Sequence, residues 1–266
     1  MDDSLITTID GPLATITFNR PDSLNAMLPD TPERATAFLR TVEARADVRC
    51  VVLRGAGGHF MAGADVKGFA NIAGDTPAAG RRAGFEDAIH RMHMMIYIMR
   101  RMPQPVIASV AGAAAGIGMS FALASDLVVA GQSAFFTLAY IRIGLSPDGS
   151  SSYFLPRIVG VKKSMELALL GDRIDASEAE RLGIVNRVVP DAELDDATAE
   201  LAHRLTDGPP QALARTKRLI QESMGASFET QLQQEAVCFS QCAATDDWRE
   251  GVSAFVEKRP PTFTGR

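Results

Sequence analysis

The sequence predicts an α/β fold in which helices pack on sheets, followed by a helical C-terminal region. Short apolar or β-branched runs alternate with helical segments over the first 190 residues, and from there to residue 266 the pattern is almost entirely helical. Repeated strand-then-helix units are typical of an α/β core. We therefore expect a core over residues 1–190 and a helical region over residues 191–266.

The individual elements follow from local patterns. Leu5 to Asp10 and Leu13 to Asn19 alternate β-branched and polar residues around a glycine-proline turn, which predicts a hairpin. Later apolar runs predict buried strands at Cys50–Leu53, Pro105–Val110 and Leu127–Ala130. Helices of the core are expected at Pro32–Ala46, Arg81–Met102 and Gly118–Ser125. C-terminal helices are expected near Ala192–Leu205, Pro210–Ser223, Phe228–Ala243 and Asp247–Lys258.

Composition and charge narrow the classes of function. The chain has 266 residues, a formal net charge of −5 and no dense Lys/Arg run, which disfavours a nucleic-acid partner. Its three cysteines show no metal-type pairing, so free thiols in a reducing compartment are expected. The first residues lack a basic and then apolar signal pattern. These observations predict a cytoplasmic protein.

One uncharged stretch has the length of a membrane span. It runs from Met102 to Ser125, but prolines break its start, glycines interrupt its middle, and much of the rest is Ala and Ser. This content favours a buried strand, a glycine turn and a short small-residue helix. We therefore expect no membrane partner.

Two glycine-rich turns carry the main chemical signal. The first ends in Ala62-Gly63-Ala64-Asp65-Val66-Lys67, and the second runs from Gly112 to Gly118 around Ile117. Each leads from a strand to a helix start, where N–H groups lack partners and carry partial positive charge. Two such groups directed at one oxygen form an oxyanion hole. Either turn alone is a weak signal that favours a purely structural role, because glycine-rich turns between a strand and a helix are common.

Other motif classes are disfavoured. Gly116-x-Gly118 lacks the third glycine of a dinucleotide fingerprint, and the chain has no GxxxxGK[ST] loop. The residues around Ser120 fail the nucleophile-elbow pattern at its last position. His90 and His93 lie three apart on a predicted helix without a third ligand at suitable spacing. We predict no metal site, and a structural or surface role for this histidine pair.

A series of short motifs runs along nearly the whole chain. They are Asn19-Arg20-Pro21 with Asn25-Ala26, Ala62-Gly63-Ala64-Asp65, Pro105-Val106-Ile107-Ala108 leading to Gly112 and Gly116-x-Gly118, Asp126, Gly144-Leu145-x-Pro147, Gly171-Asp172-Arg173-Ile174, and Glu250-Gly251-Val252-x-Ala254-Phe255. In this order the motifs resemble the enoyl-CoA hydratase/isomerase (crotonase) family. Many turns in the same order are far more specific than one.

The resemblance implies a crotonase-like spiral of ββα turns, a C-terminal helical region that builds trimers and often hexamers, and an acyl-CoA substrate without a separate cofactor. It places the oxyanion donors at the N–H groups of Ala64 and Ile117. It also implies that Ala62 to Lys67 line the thioester and pantetheine site. Lys258 is expected to reach the CoA phosphates from a neighbouring subunit.

Departures from the family pattern bear on the reaction. The two glutamates that family hydratases use correspond to Ser120 and Tyr140 here, and neither is a strong acid-base group at neutral pH. A carboxylate occurs instead at Asp148, and this pattern resembles the phenylacetate-pathway isomerases of bacteria and related Δ3,Δ2-enoyl-CoA isomerases. In those enzymes the matching aspartate is the single acid-base residue. The resemblance therefore implies that Asp148 is catalytic and that Tyr140 lies at the substrate.

One carboxylate suffices for shifting a double bond, because it can remove a proton at C2 and return it at C4. A solvated aspartate is too weak a base, so burial must raise its pKa. Phe135, Phe136, Ile143 and Leu145 are the expected apolar wall. Pro147-Asp148-Gly149 is also a standard turn sequence, which leaves a purely structural role for Asp148 open.

Three hypotheses follow from the sequence. The first is an enoyl-CoA isomerase acting through Asp148. The second is a hydratase, or another lyase or hydrolase of the family, in which Asp148 activates water and Tyr140 or Ser120 orients it. The third is a catalytically silent acyl-CoA-binding subunit, which the residues Ser120 and Tyr140 keep open.

Overall fold

The computed structural model describes residues 3–66, 68–69 and 76–266. The strands in chain order are β1 (Leu5–Asp10), β2 (Leu13–Phe18), β3 (Cys50–Gly55), β4 (Val106–Val110), β5 (Ala113–Ala115), β6 (Leu127–Gly131), β7 (Phe135–Thr137), β8 (Ile174–Asp175) and β9 (Arg187–Val189). The helices are α1 (Thr31–Glu43), α2 (Ala78–Arg101), α3 (Ile117–Ala124), α4 (Ser151–Leu170), α5 (Ala176–Arg181), α6 (Leu194–Thr206), α7 (Pro210–Ser223), α8 (Phe228–Ala243) and α9 (Asp246–Glu257).

Two sheets organise the described part of the chain. The larger has the order β1-β2-β3-β4-β6-β9, and the smaller has the order β5-β7-β8. The hairpin β1–β2 is antiparallel, and the later neighbours in the larger sheet are all parallel. Buried strands such as Val106–Val110 are continuously apolar apart from one serine, as expected for a parallel sheet covered on both faces.

The chain moves repeatedly from the larger sheet to the smaller one and then into a helix. One turn consists of β4, β5 and α3, and the next consists of β6, β7 and α4. The turn before them contributes β3 and then Met61, which forms a parallel bridge with Ala114 of β5. This repetition is the spiral of ββα turns that the resemblance implies.

The first C-terminal helix packs on the larger sheet. Leu194, Ala197 and Ala202 of α6 belong to one buried apolar cluster with strand residues that include Val52 and Ile107. A buried lysine, Lys217, then ties α7 to the core. Its ammonium group lies 2.7 Å from Asp126 and donates to the carbonyls of Met99 and Gln104. The expected division at residues 190 and 191 stays a prediction.

The predicted elements are confirmed with shifts of a few residues at their ends. The uncharged stretch from Met102 to Ser125 forms β4, β5 and α3. Among the described residues, no helix combines the length and apolar character that crossing a membrane requires.

Candidate active site

Three neighbouring strand exits form the site. Met61 pairs with Ala114, and Ala114 pairs in register with Phe136. Adjacent strands lie about 4.8 Å apart, and parallel strands end at the same edge of a sheet. The residues that follow these three strands therefore converge. This topology brings together Ala64, Ile117 and Tyr140, which the sequence analysis named from separate motifs.

The two glycine turns touch each other. A methyl group added to Gly116 would lie 3.6 Å from the Gly63 Cα and 3.8 Å from the Tyr140 ring. Gly116 has φ 54° and ψ −122°, which only glycine adopts readily, and it immediately precedes the first helical residue, Ile117. The backbone geometry at Gly116 thus places the start of α3 beside the first turn.

Both proposed donor groups are available for a ligand. Met27 N–H donates to Gly63 O, and Asp65 N–H donates to Met27 O, at 2.8 Å and 3.1 Å. In a parallel bridge these bonds use the neighbours of Ala64, so the N–H of Ala64 itself points to the opposite side. Within the described ranges, neither this N–H nor that of Ile117 donates to a protein atom.

The motif near Asn25 holds the first glycine turn in place. The Asn25 side-chain amide donates to the carbonyls of Ala56 and His59, at 2.8 Å and 2.6 Å. Arg20 forms an ion pair with Asp65 at 3.0 Å, and both side chains are about a quarter exposed. The sequence motifs alone do not indicate this role. Asp65, predicted to bind substrate, is therefore a partner of Arg20 in this structure.

The loop that carries Asp148 packs directly against α3. Gly149 has φ 59°, and a methyl group on it would lie 2.3 Å from Ile117 Cδ1 and 2.8 Å from Ser120 Cβ. Only glycine permits this approach without displacement. The Asp148 carbonyl accepts hydrogen bonds from the hydroxyls of Ser120 and Ser151, at 3.1 Å and 2.9 Å. The backbone at Asp148 is therefore held from both α3 and α4.

Asp148, Tyr140 and Ser120 form one hydrogen-bonded cluster. The Tyr140 hydroxyl donates to Asp148 Oδ1 at 2.5 Å. Ser120 Oγ, which is fully buried, lies 3.4 Å from the Tyr140 hydroxyl. The three side chains come from α3, from the 3-10 turn Tyr140–Ile143 and from the loop before α4. The residues that the resemblance aligned with hydratase glutamates thus contact the predicted acid-base residue.

Burial changes the acid-base properties of this cluster. It raises the pKa of Asp148 above the ordinary carboxyl value, and the Tyr140 hydrogen bond and nearby His93 oppose that rise. Burial and the adjacent carboxylate raise the pKa of Tyr140 well above the ordinary phenol value. Asp148 therefore has the shift that a carboxylate base needs, whereas Tyr140 stays protonated and acts as a hydrogen-bond donor.

His93 is a titratable neighbour of Asp148 that no sequence motif indicated. It lies on α2, with its ring 6.3 Å from that of His90 and nearly perpendicular to it. Burial lowers the pKa of His93 itself, so its positive charge, which lowers the pKa of Asp148, is present only at acid pH. Periodicity placed both histidines on one helix but could not show which loop lies opposite that helix.

The apolar wall expected around Asp148 is only partly present in the single chain. Phe136 is fully buried, but Ile143 and Leu145 are 50% and 41% exposed. The contacts to the Asp148 loop come instead from Tyr140, Ser120 and Ile117, which pack below it.

The remaining predicted binding residues are exposed, half-buried or outside the described ranges. Val66 is 50% exposed at the end of the first turn, and Lys67 lies outside the described residues. Ala62 is half-buried, with its N–H donating to Leu24 O at 2.9 Å. Lys258 is exposed at the end of α9. Among the described residues, no three His, Cys, Asp or Glu side chains are grouped closely enough to hold a metal ion.

Comparison with known proteins identifies the family of the chain. The family model described as enoyl-CoA hydratase/isomerase matches residues 8–266. The chain is 38% identical over 255 residues to a probable enoyl-CoA hydratase of Rhodobacter capsulatus, covering 96% of this chain and 95% of that protein. It is 34% identical to the 1,2-epoxyphenylacetyl-CoA isomerase of Escherichia coli, covering 98% of both.

Solved structures give the same result. The crystal structure of an enoyl-CoA hydratase from Polaromonas sp. JS666 superimposes with a TM-score of 0.92 at 33% identity, covering 98% of this chain and 99% of that one. The fold is that of an acyl-CoA enzyme with an α/β spiral core. The chain belongs to the enoyl-CoA hydratase/isomerase family.

Proposed function

We propose that this enzyme is an enoyl-CoA isomerase that shifts a double bond toward the thioester, with Asp148 as its single acid-base residue. The observation that carries the proposal is the position of Asp148. Its carboxylate is held by Tyr140, its pKa is raised by burial, and its loop packs on Ile117 beside the two glycine turns.

The reaction needs one base and one anion site. The Asp148 carboxylate removes a proton from C2 of a 3-enoyl-CoA, and the electrons move onto the thioester oxygen to give a dienolate. The N–H groups of Ala64 and Ile117 stabilise that oxyanion. The protonated Asp148 then returns the proton at C4, and the double bond lies between C2 and C3. Atoms and charge balance without a separate cofactor.

Hydration is the second candidate, because the Rhodobacter relative and the Polaromonas structure both carry the hydratase name. Ser120 and Tyr140 argue against it. Ser120 donates to the Asp148 carbonyl and Tyr140 donates to the Asp148 carboxylate. Neither supplies the second carboxylate that the resemblance assigns to hydratases. The Escherichia coli isomerase is about as similar in sequence, at 34% identity.

We further propose that the enzyme assembles as a homotrimer or hexamer. Large apolar side chains on α8 and α9 are exposed in the single chain, among them Phe228 at 73%, Phe239 at 76% and Phe255 at 86%. Exposed large apolar side chains in such number are typical of subunit interfaces. Lys258 follows α9 directly, which supports its proposed contact with CoA phosphates across such an interface.

Mass-resolved assays on two substrates test the reaction. A 3-enoyl-CoA and a 2-enoyl-CoA are incubated separately with the enzyme, and products are identified by mass and by ultraviolet absorbance of the conjugated thioester. Isomerisation of the 3-enoyl-CoA with unchanged mass supports the proposal. Addition of one water to the 2-enoyl-CoA at ordinary enzymatic rates, about 10 s⁻¹ or more, with no isomerisation would overturn it. Unchanged substrates in both assays would favour a silent binding subunit.

A further inference from the structure

We propose that Tyr140 is a positioning residue. Its hydroxyl binds one carboxylate oxygen of Asp148, so that the other oxygen exchanges protons with the substrate. This inference depends on the proposed role of Asp148. The Tyr140 hydroxyl engages Oδ1 at 2.5 Å, whereas Oδ2 accepts no hydrogen bond from another residue that the structure describes. Oδ2 is therefore the oxygen that exchanges a proton with C2 and C4.

The placement of Tyr140 is set by its surroundings. The ring lies 3.8 Å from the position of a methyl group on Gly116, so the second glycine turn supports one side of it. Ser120 Oγ lies 3.4 Å from the hydroxyl and 3.1 Å from the Asp148 carbonyl. These contacts fix both members of the Tyr140–Asp148 pair relative to α3, which also provides the Ile117 N–H.

Tyr140 does not itself exchange a proton with the substrate. Burial and the neighbouring carboxylate raise the pKa of Tyr140 well above its usual range, so the phenol remains protonated during turnover. A neutral donor favours the ionised form of its acceptor. Tyr140 therefore limits how far burial raises the pKa of Asp148, while it prevents the carboxylate from rotating.

The contributions to the pKa of Asp148 make the role of Tyr140 measurable. Burial raises the pKa of Asp148, and the Tyr140 hydroxyl and protonated His93 lower it. Burial also lowers the pKa of His93, so the His93 charge is present only at the acid end of the profile. Tyr140→Phe removes the hydrogen bond that lowers the pKa of Asp148, and it keeps the aromatic ring in place. His93 and the start of α3 at Ile117 are the same in this variant as in the parent enzyme. The acid limb of the rate profile should then move to higher pH.

The experiment compares pH profiles of kcat/KM for isomerisation of a 3-enoyl-CoA. In Tyr140→Phe we expect the acid limb to move up by about one pH unit, since a hydrogen bond to a charged group is of that strength. We also expect the plateau kcat to fall by about tenfold because the carboxylate is less well oriented. Tyr153→Phe is the matched control, because Tyr153 is 43% exposed and lies in α4. Its profile should superimpose on that of the parent enzyme.

A second probe keeps the hydroxyl and strengthens it as a donor. The chain has three tyrosines, so 3-fluorotyrosine incorporated into a Tyr97→Phe/Tyr153→Phe background occurs at position 140 alone. The acid limb should move to lower pH, opposite to the effect of Phe. An acid limb that does not move in either protein overturns the proposal for Tyr140. Full activity of Asp148→Asn would instead overturn the proposed function, so the two failures are distinguishable.

Discussion

Removal of the Ile117 N–H is the sharpest perturbation of the oxyanion hole. Ile117 is the first residue of α3, and within the described part of the chain its N–H has no protein acceptor, so proline at this position removes no intrahelical hydrogen bond. The backbone of Gly116, with φ 54° and ψ −122°, adopts the mirror image of an extended conformation. Glycine in that region accommodates a following proline. We therefore expect Ile117→Pro to fold.

The structure also sets the control for this variant. The Ile117 side chain is 3% exposed and its Cδ1 supports Gly149, so any truncation removes packing below Asp148. Such a truncation costs about 2–5 kcal/mol of stability. Ile117→Ala shares this loss but keeps the N–H. The ratio of kcat between Ile117→Ala and Ile117→Pro therefore measures the contribution of the N–H group. Comparison of either variant with the parent enzyme would include the lost packing.

We expect kcat of Ile117→Pro to be at least about 10²-fold below that of Ile117→Ala, which is roughly 2.7 kcal/mol or more of transition-state stabilisation. Binding of a CoA ester should differ by far less, since a hydrogen bond to a neutral carbonyl contributes about 0.5–1.5 kcal/mol. Steady-state isomerisation measures kcat, circular dichroism measures whether each variant is folded, and calorimetry measures binding of the CoA ester. Equal kcat values in two folded variants would refute the oxyanion-hole assignment for Ile117.

Two further predictions concern stability. Lys217→Met should destabilise the fold by about 3 kcal/mol in denaturant unfolding, because the Asp126 carboxylate loses its 2.7 Å ammonium partner. The loss should lie at the low end for a buried pair, since Asp126 keeps the Val106 N–H, the Gln221 amide and Arg100 at 3.9 Å. The exposed pair of Arg187 with Glu200 is the control, and Arg187→Ala should change stability by about 1 kcal/mol or less. Asp148→Asn should raise the melting temperature at neutral pH. Because burial raises the folded-state pKa of Asp148, its contribution to stability is greatest below the unfolded pKa, at about 4, and is lost as the pH rises. The higher melting temperature of Asp148→Asn should therefore disappear near pH 4, at about the unfolded pKa. An equal increase in melting temperature at neutral pH and at that lower pH would contradict this explanation.

Much of the architecture could be predicted because local signals and tertiary packing agree. The hairpin strands and the helices Pro210–Ser223 and Phe228–Ala243 match their predicted bounds within one residue. Proline at the first position of α7 and the Ser227 cap of α8 are strong local signals. The helix Ser151–Leu170 was not predicted, since Pro156 and a kink at Gly160 interrupt its pattern.

The candidate site could be predicted residue by residue but not as an arrangement. Ala64, Ile117 and Asp148 were named from motifs, whereas the Tyr140–Asp148 hydrogen bond joins elements whose relative placement depends on β-strands of three residues. Such short strands carry no usable periodicity. The proximity of His93 was missed for the same reason, because it depends on how α2 packs and not on its own sequence.

The most direct test of the central claim is the isomerisation rate of Asp148→Asn with a 3-enoyl-CoA. Asparagine keeps the size of the side chain and an oxygen that can accept the Tyr140 hydrogen bond, but it cannot accept a proton from C2. If Asp148 is the acid-base residue, turnover falls by at least about 10²-fold while CoA-ester binding changes little. Turnover within a few-fold of the parent enzyme would show that the proton is carried by another group and would contradict the assignment of Asp148.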